Sequence, residues 1–168
     1  APHAVEDKFY VGSFVGGLIE ATDGGTTTTC YTKNNSILQA PVSAGSGRTA
    51  IGGLAYDDAG NLWISNFDAT APIAVRKPDG TMRNFSAAPV TNLLQVAVDR
   101  NGYKWFVVAF NGGVLVYDSG QDLDSPGDDR YRVITSSNSV LPTNNVNCIA
   151  VDLDGDVWIG TQQGTVSF

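Results

Sequence analysis

Apolar residues along the chain alternate with polar ones in short runs, and nowhere do they keep helical spacing for three turns. The runs Lys8–Ser13, Gly17–Ala21, Gly53–Tyr56, Leu62–Ser65, Gln95–Val98 and Val114–Tyr117 are filled by Val, Ile, Tyr, Phe, Trp and Thr. Such residues suit a pleated, half-buried surface, and the Gly, Asn and Asp between them suit turns. Weaker runs follow at Thr28–Tyr31, Met82–Phe85 and Tyr131–Ile134. With 19 Gly and 7 Pro as punctuation, the pattern predicts an all-β protein.

The runs repeat. LAYDDAGNLWISN (54–66), VAVDRNGYKWFVV (96–108) and IAVDLDGDVWIGT (149–161) each read strand, Asp, turn with Gly, Trp, strand. A worn copy, EDKFYVGSFVGGLIEA (6–21), puts Phe9 in the Trp place. The aromatic positions 9, 63, 105 and 158 are 54, 42 and 53 residues apart, and the shortest interval fits the roughly 40–45 residues of a four-stranded propeller blade. The longer intervals carry loop insertions, such as 118–130. Asp57, Asp99 and Asp152 are expected to accept turn N–H bonds, as Asx turns do. Asn101-Gly102 and Asp154-Gly155 are expected to form two-residue turns with positive φ. The tryptophans are expected to fill the wedge between neighbouring sheets. The expected architecture is a β-propeller of four-stranded antiparallel blades, approximately 1–49, 50–92, 93–144 and 145–168. It starts on a second strand and stops on a third, giving two complete and two partial blades. Because closed propellers need about 4–8 blades, the expectation is a fragment of a longer polypeptide.

Composition narrows the function. Ten basic against 17 acidic residues give a net charge of −7, with a pI near 4.4 and a mean hydropathy of −0.05. That balance lacks the cationic footprint needed on nucleic acid or anionic lipid. No apolar run reaches the ~20 residues of a membrane span. One histidine and two distant cysteines exclude a structural zinc site. Cys30 and Cys148 read as buried thiols, with a disulfide as the alternative.

Chemistry-bearing patterns are sparse. No Gly-x-Ser-x-Gly elbow is present, and His3 stands at the start of the chain, so no catalytic residue is expected. Nor is a cofactor, although Asp152, Asp154 and Asp156 have the carboxylate density of a calcium loop; turn capping is the competing explanation. Residues 122–129 are denser still in aspartate and read as a solvated insertion. Phe14, Phe67 and Phe110 follow their repeat aromatics by five, four and five positions, with Asp68 or Asn111 next. In a propeller this loop shares a face with the inter-blade connections, where Arg48, Asn144 and Asn145 fall. Aromatic rings beside amides are what sugar rings stack on; the competing role for the phenylalanines is packing between blades.

The unit (I/L)A-x-D-x-x-G-x-x-W-(I/V)-G-T-x-x-G resembles the two-component-regulator propeller repeat of Bacteroidetes-type periplasmic proteins, most clearly in 96–118 and 148–168. The stretch GGVLVYDSGQDLDSPGDDRYRVITSSNSVLPTNNVNCIAVDLDGDVWIGT is similar to PorZ-type proteins of the type IX secretion machinery. That resemblance implies two propellers and a C-terminal sandwich in the full chain, placed at the outer-membrane surface. It implies a non-enzymatic role, holding anionic lipopolysaccharide or another glycan for secretion partners. The same repeat builds periplasmic sensor halves of hybrid histidine kinases, which is the alternative. A propeller lyase or sialidase-like hydrolase is a second alternative, though the Ser-x-Asp start of a sialidase box is missing. An exported, periplasmic or surface location follows from each of the first two.

Overall fold

The computed structural model of the chain describes residues 7–43, 47–125 and 127–168. Among the described residues, fourteen strands form four antiparallel sheets. The first sheet holds β1 (Lys8–Ser13), β2 (Gly17–Thr22) and β3 (Thr27–Tyr31); the second holds β4 (Ile51–Tyr56), β5 (Leu62–Asn66), β6 (Ile73–Arg76) and β7 (Met82–Phe85). The third is β8 (Leu93–Val98), β9 (Lys104–Val108), β10 (Gly113–Asp118) and β11 (Arg130–Ile134). The last is β12 (Val146–Val151), β13 (Val157–Thr161) and β14 (Gly164–Ser167). These are propeller blades, two with four strands and two with three. Within each sheet the strands pair in sequence order. The chain divides into two compact units, residues 1–93 and 94–168.

In the first unit β1 packs against β4, and Tyr10, Leu18, Leu38, Ile51, Leu62, Ile64 and Ala74 form a buried core. In the second unit β9 packs against β12. Its core is Trp105, Val107, Val114, Ile134, Leu141, Val146, Ile149, Val157 and Ile159. Buried on both faces, the central strands β5 and β9 carry near-continuous apolar runs rather than alternation.

A single carboxylate organises each of the β4–β5, β8–β9 and β12–β13 hairpins. Asp57 Oδ1 accepts the amides of Ala59 and Asn61, while its Oδ2 accepts the Trp63 indole N–H at 2.8 Å. Asp99 repeats this with Asn101, Tyr103 and Trp105, and Asp152 with Asp154, Gly155, Asp156 and Trp158. The indole bond lowers the Asp152 carboxyl from its ordinary value; burial opposes it slightly and the turn amides reinforce it.

The turns themselves differ from the two-residue form expected for Asn101-Gly102 and Asp154-Gly155. Asp99 N–H reaches Tyr103 O and Gly102 N–H returns to Asp99 O; Asp152, Gly155 and Asp156 do the same. Only Gly102 (φ 81°) and Gly155 (φ 97°) are left-handed, not their predecessors. This is a three-residue loop closed by a left-handed glycine, which the turn before it demands. The cysteines also depart from expectation: Cys30 in β3 and Cys148 in β12 are free and solvent-exposed. Outer strand β3 is exposed at Thr27–Cys30 on both faces, so strand membership does not bury a side chain there.

Candidate functional site

At the end of the strands opposite the Asp–Gly hairpins, each unit joins its two sheets by a linker that opens with the same seven-residue motif. Thr32-x-x-Asn35-Ser36-x-Leu38 and Thr135-x-x-Asn138-Ser139-x-Leu141 make equivalent bonds. The Asn Oδ1 accepts the Thr amide, its Nδ2 donates to Cys30 O or Val133 O, and the Ser Oγ donates to the Thr carbonyl. Both leucines are buried. The linkers end alike too. Thr49 O accepts Gly17 N–H as Asn144 O accepts Gly113 N–H, and Ala50 O accepts Phe67 N–H as Asn145 O accepts Gln162 N–H. The strand-connecting loops that carry the candidate phenylalanines are thus tied to the linker within each unit. Arg48 in one unit, and Asn144 and Asn145 in the other, lie on these linkers.

The two linkers differ in length: residues 32–50 against 135–145, eight residues shorter. From the surplus between Leu38 and Thr49, Gln39, Val42 and Ser43 dock on the loop after β5. Gln39 N–H donates to Asn66 Oδ1, and Asn66 Nδ2 returns bonds to Gln39 O and Ala50 O. Val42 N–H reaches Asp68 O, and both the amide and hydroxyl of Ser43 donate to Asp68 Oδ2. Asp68 is buried, and its left-handed φ of 56° is held by its own N–H bond to Thr91 O. Asp68 is therefore an anchor for the inserted segment rather than a ligand-facing group.

This insertion builds a cluster. The rings of Phe14 and Phe67 meet at a centroid distance of 4.8 Å, tilted 46°, with the Arg48 guanidinium 5.7 Å from the Phe14 centroid. Phe67 is buried and Phe14 is 41% exposed, so Phe67 packs and Phe14 presents a ring to solvent. Arg48 Nε is buried without a hydrogen-bond partner, and among the described residues Arg48 forms no ion pair. A stacked ring beside an uncompensated guanidinium suits a polar ring bearing an acidic group.

In the second unit Phe110 takes the place of Phe14, but Gln162 takes that of Phe67 and the shorter linker supplies no arginine. Phe110 is 82% exposed, and both it (φ 57°) and Asn111 (φ 61°) are left-handed. Asn144 faces inward in part, its Oδ1 accepting Ser136 N–H. Left-handed backbone is costly for an aromatic residue. Phe110→Gly is expected to raise the unfolding free energy by about 0.5–1 kcal/mol in urea titration; a loss of stability would show that the ring is needed for packing.

The aspartates weighed for calcium do not converge. Asp152 is occupied by three amides and an indole, and among the described residues no group of three or more His, Cys, Asp or Glu side chains could hold a metal. Addition of a chelator is expected to leave the melting temperature unchanged; a drop of several degrees would indicate a bound ion that stabilises the fold.

Residues 140–163 match the two-component regulator propeller family. Solved structures extend the likeness over the whole chain. PorZ, an essential bacterial surface component of the type-IX secretion system of Porphyromonas gingivalis, is 26% identical over 96% of this chain, with a TM-score of 0.77. The extracellular domain of a hybrid two component system from B. thetaiotaomicron aligns over 100% of the chain at 16% identity and a TM-score of 0.67. A streptogramin B lyase aligns over 99% at 12% identity, with a TM-score of 0.64; the last two likenesses show the propeller fold alone. The chain spans 23% of the PorZ chain and 22% of the sensor domain. No curated protein matches the sequence. Among the described residues, no helix is long and apolar enough to cross a membrane.

Sequence reasoning missed two groups. Gln39 and Ser43 lie in an insertion that carries no repeat pattern of its own; only the match of Thr32–Leu38 to Thr135–Leu141 marks its eight extra residues. The second group surrounds Glu20 in the first unit. Glu20 Oε2 accepts the hydroxyls of Tyr10 and Tyr31, each at 2.9 Å, and meets Arg76 at 3.2 Å; its Oε1 lies 3.7 Å from Lys8. Burial works against the charged form, but the two hydroxyl bonds and the two cations outweigh it, so the Glu20 carboxyl lies below its ordinary value. Burial, then the Glu20 bond, pushes the Tyr10 hydroxyl far upward.

Proposed function

We propose that this chain is a non-enzymatic binding and assembly module of the type IX protein secretion machinery, exported to the periplasm or the outer-membrane surface. Its Phe14–Phe67–Arg48 cluster takes an acidic sugar ring of a surface glycan or lipopolysaccharide, and its partners are other secretion-complex proteins. The observation that carries this reading is the likeness to PorZ, which covers 96% of the chain at the highest identity among the structures named above. The cluster supports it, because it rests on an insertion rather than on the repeat, and functions are added to propellers by loop variation.

The test is deletion of the encoding gene in its native host, followed by complementation with wild type and with Phe14→Ala/Arg48→Ala. Loss of surface attachment of secreted cargo, restored by wild type and not by the double variant, is the expected result. Intact cargo attachment together with a lost transcriptional response to a glycan would replace this reading with that of a sensor domain. The sensor reading is favoured by the family match at residues 140–163 and by the extracellular sensor structure.

A further inference from the structure

Three segments meet at the end of the second unit away from its Asp–Trp hairpins. Gly113 N–H, on the loop between β9 and β10, donates to Asn144 O at 3.1 Å, and Gln162 N–H, on the loop between β13 and β14, to Asn145 O at 3.1 Å. The linker folds back on itself at the same place, Ser136 N–H donating to Asn144 Oδ1 at 2.7 Å. Residues 109–112, 135–145 and 161–163 contain no charged side chain, in a chain where Asp, Glu, Lys and Arg make up 16%. Arg132 reaches the linker from β11 by donating to Asn138 O at 3.5 Å, upstream of the stretch that meets the two loops.

The surface carries a ring and a set of unused amides instead. Phe110 sits between β9 and β10, 82% exposed, on left-handed backbone (φ 57°) that glycine would take without steric cost. A large apolar side chain kept in solvent on unfavourable backbone does nothing for stability, and such conformations concentrate at ligand-binding positions. The side-chain amides of Asn111, Asn145 and Gln162 make no hydrogen bond among the described residues.

These groups select a ligand class. Each amide sets an acceptor oxygen beside an N–H donor, which matches hydroxyls that both donate and accept. The C–H face of a pyranose suits the electron-rich face of the Phe110 ring. An apolar partner would cover the ring but strip water from the amides without replacing their bonds. An anionic group would be desolvated with no counter-charge on the three segments.

We infer that this end of the second unit is a subsite for a neutral sugar, with Phe110 stacking on one pyranose ring and Asn111, Asn145 and Gln162 bonding its hydroxyls. It differs in ligand from the Phe14–Phe67–Arg48 cluster, which suits an acidic ring. It goes beyond the function proposed above and stands whether the chain serves secretion or sensing.

The probes are methyl β-glucoside and methyl β-galactoside, with glucuronate as the anionic comparison. Each is titrated into the chain at constant ionic strength and followed by aromatic and side-chain amide chemical shifts. Saturable shifts of the Phe110 ring and of the Asn111, Asn145 and Gln162 amides are expected with at least one glycoside, with a dissociation constant of about 1–10 mM and weaker binding of glucuronate. Phe110→Ala is expected to weaken that binding at least about tenfold without lowering the melting temperature. Gln162→Ala removes an exposed side chain that bonds nothing in the fold, and is expected to weaken it about threefold. Absence of saturable shifts with both glycosides, shifts confined to other residues, or unchanged binding in Phe110→Ala would overturn the site. Glucuronate binding at Phe110 as tightly as the glycosides would overturn the ligand class.

Discussion

Trp63→Ala is expected to lower the unfolding free energy by roughly 3–5 kcal/mol, the range for deleting a large buried aromatic side chain. Three contributions add at this position. The ring is completely buried, it stacks on Phe85 at 6.0 Å with an interplanar angle of 29°, and its N–H satisfies Asp57. Truncation opens a cavity and removes one of the two donors to Asp57 Oδ2, leaving only the Asn61 side-chain amide. Trp105→Ala should fall in the same range, since Trp105 is 8% exposed, belongs to the second unit's core and meets Phe168 at 5.8 Å. Trp158→Ala should cost visibly less, because that ring is 45% exposed although it makes the same bond to its aspartate. Chemical unfolding of the three variants gives the order directly. Equal losses would mean that the indole–aspartate bond, not burial, sets the cost.

Glu20→Ala is expected to cost roughly 2–4 kcal/mol, somewhat below the range for breaking a fully buried pair, because both Glu20 and Arg76 retain 13% exposure. The loss comes less from the ion pair than from what is left behind: an arginine between two tyrosine rings with no counter-charge, and two hydroxyls that lose their common acceptor. The effect depends on pH with a definite sign. The folded carboxyl lies below its ordinary value, so its contribution is fully present above the ordinary carboxylate range and is lost as pH falls through the depressed folded value. Wild type and variant should therefore differ most near neutral pH and converge in acid. Glu20→Gln keeps an acceptor for one hydroxyl and should recover part of the loss at neutral pH. A difference that grows on acidification would mean that Glu20 is held protonated.

The contrast between what was legible in the sequence and what was not follows the range of the interactions. Asp57, Asp99 and Asp152 lie six residues before their tryptophans, and every bond that forces those residue types is made inside the hairpin. The repeat could therefore be read, and the fourteen strands with it. The Glu20 cluster draws on β1, β2, β3 and β6, so Glu20 and Arg76 stand 56 positions apart and look in sequence like ordinary surface charges. The phenylalanines lie between these cases. Their spacing located Phe14, Phe67 and Phe110 in equivalent loops, yet their exposures of 41%, 8% and 82% depend on the linker in each unit. Cys30 was placed in the right strand and given the wrong environment, because β3 is an outer strand with little covering it.

The ordering of the sheets has a kinetic side. In all four, each strand pairs only with its neighbours in sequence, so the sheet pairings close short loops and keep contact order low for an all-β chain. The costly loop closures are those that bring one sheet against the next, β1 to β4 and β9 to β12. Hairpin formation takes microseconds, and the Asp–Trp clasp is complete once its hairpin is. Folding is then limited by docking finished sheets, and substitutions in the linkers should change the refolding rate more than those in the turns.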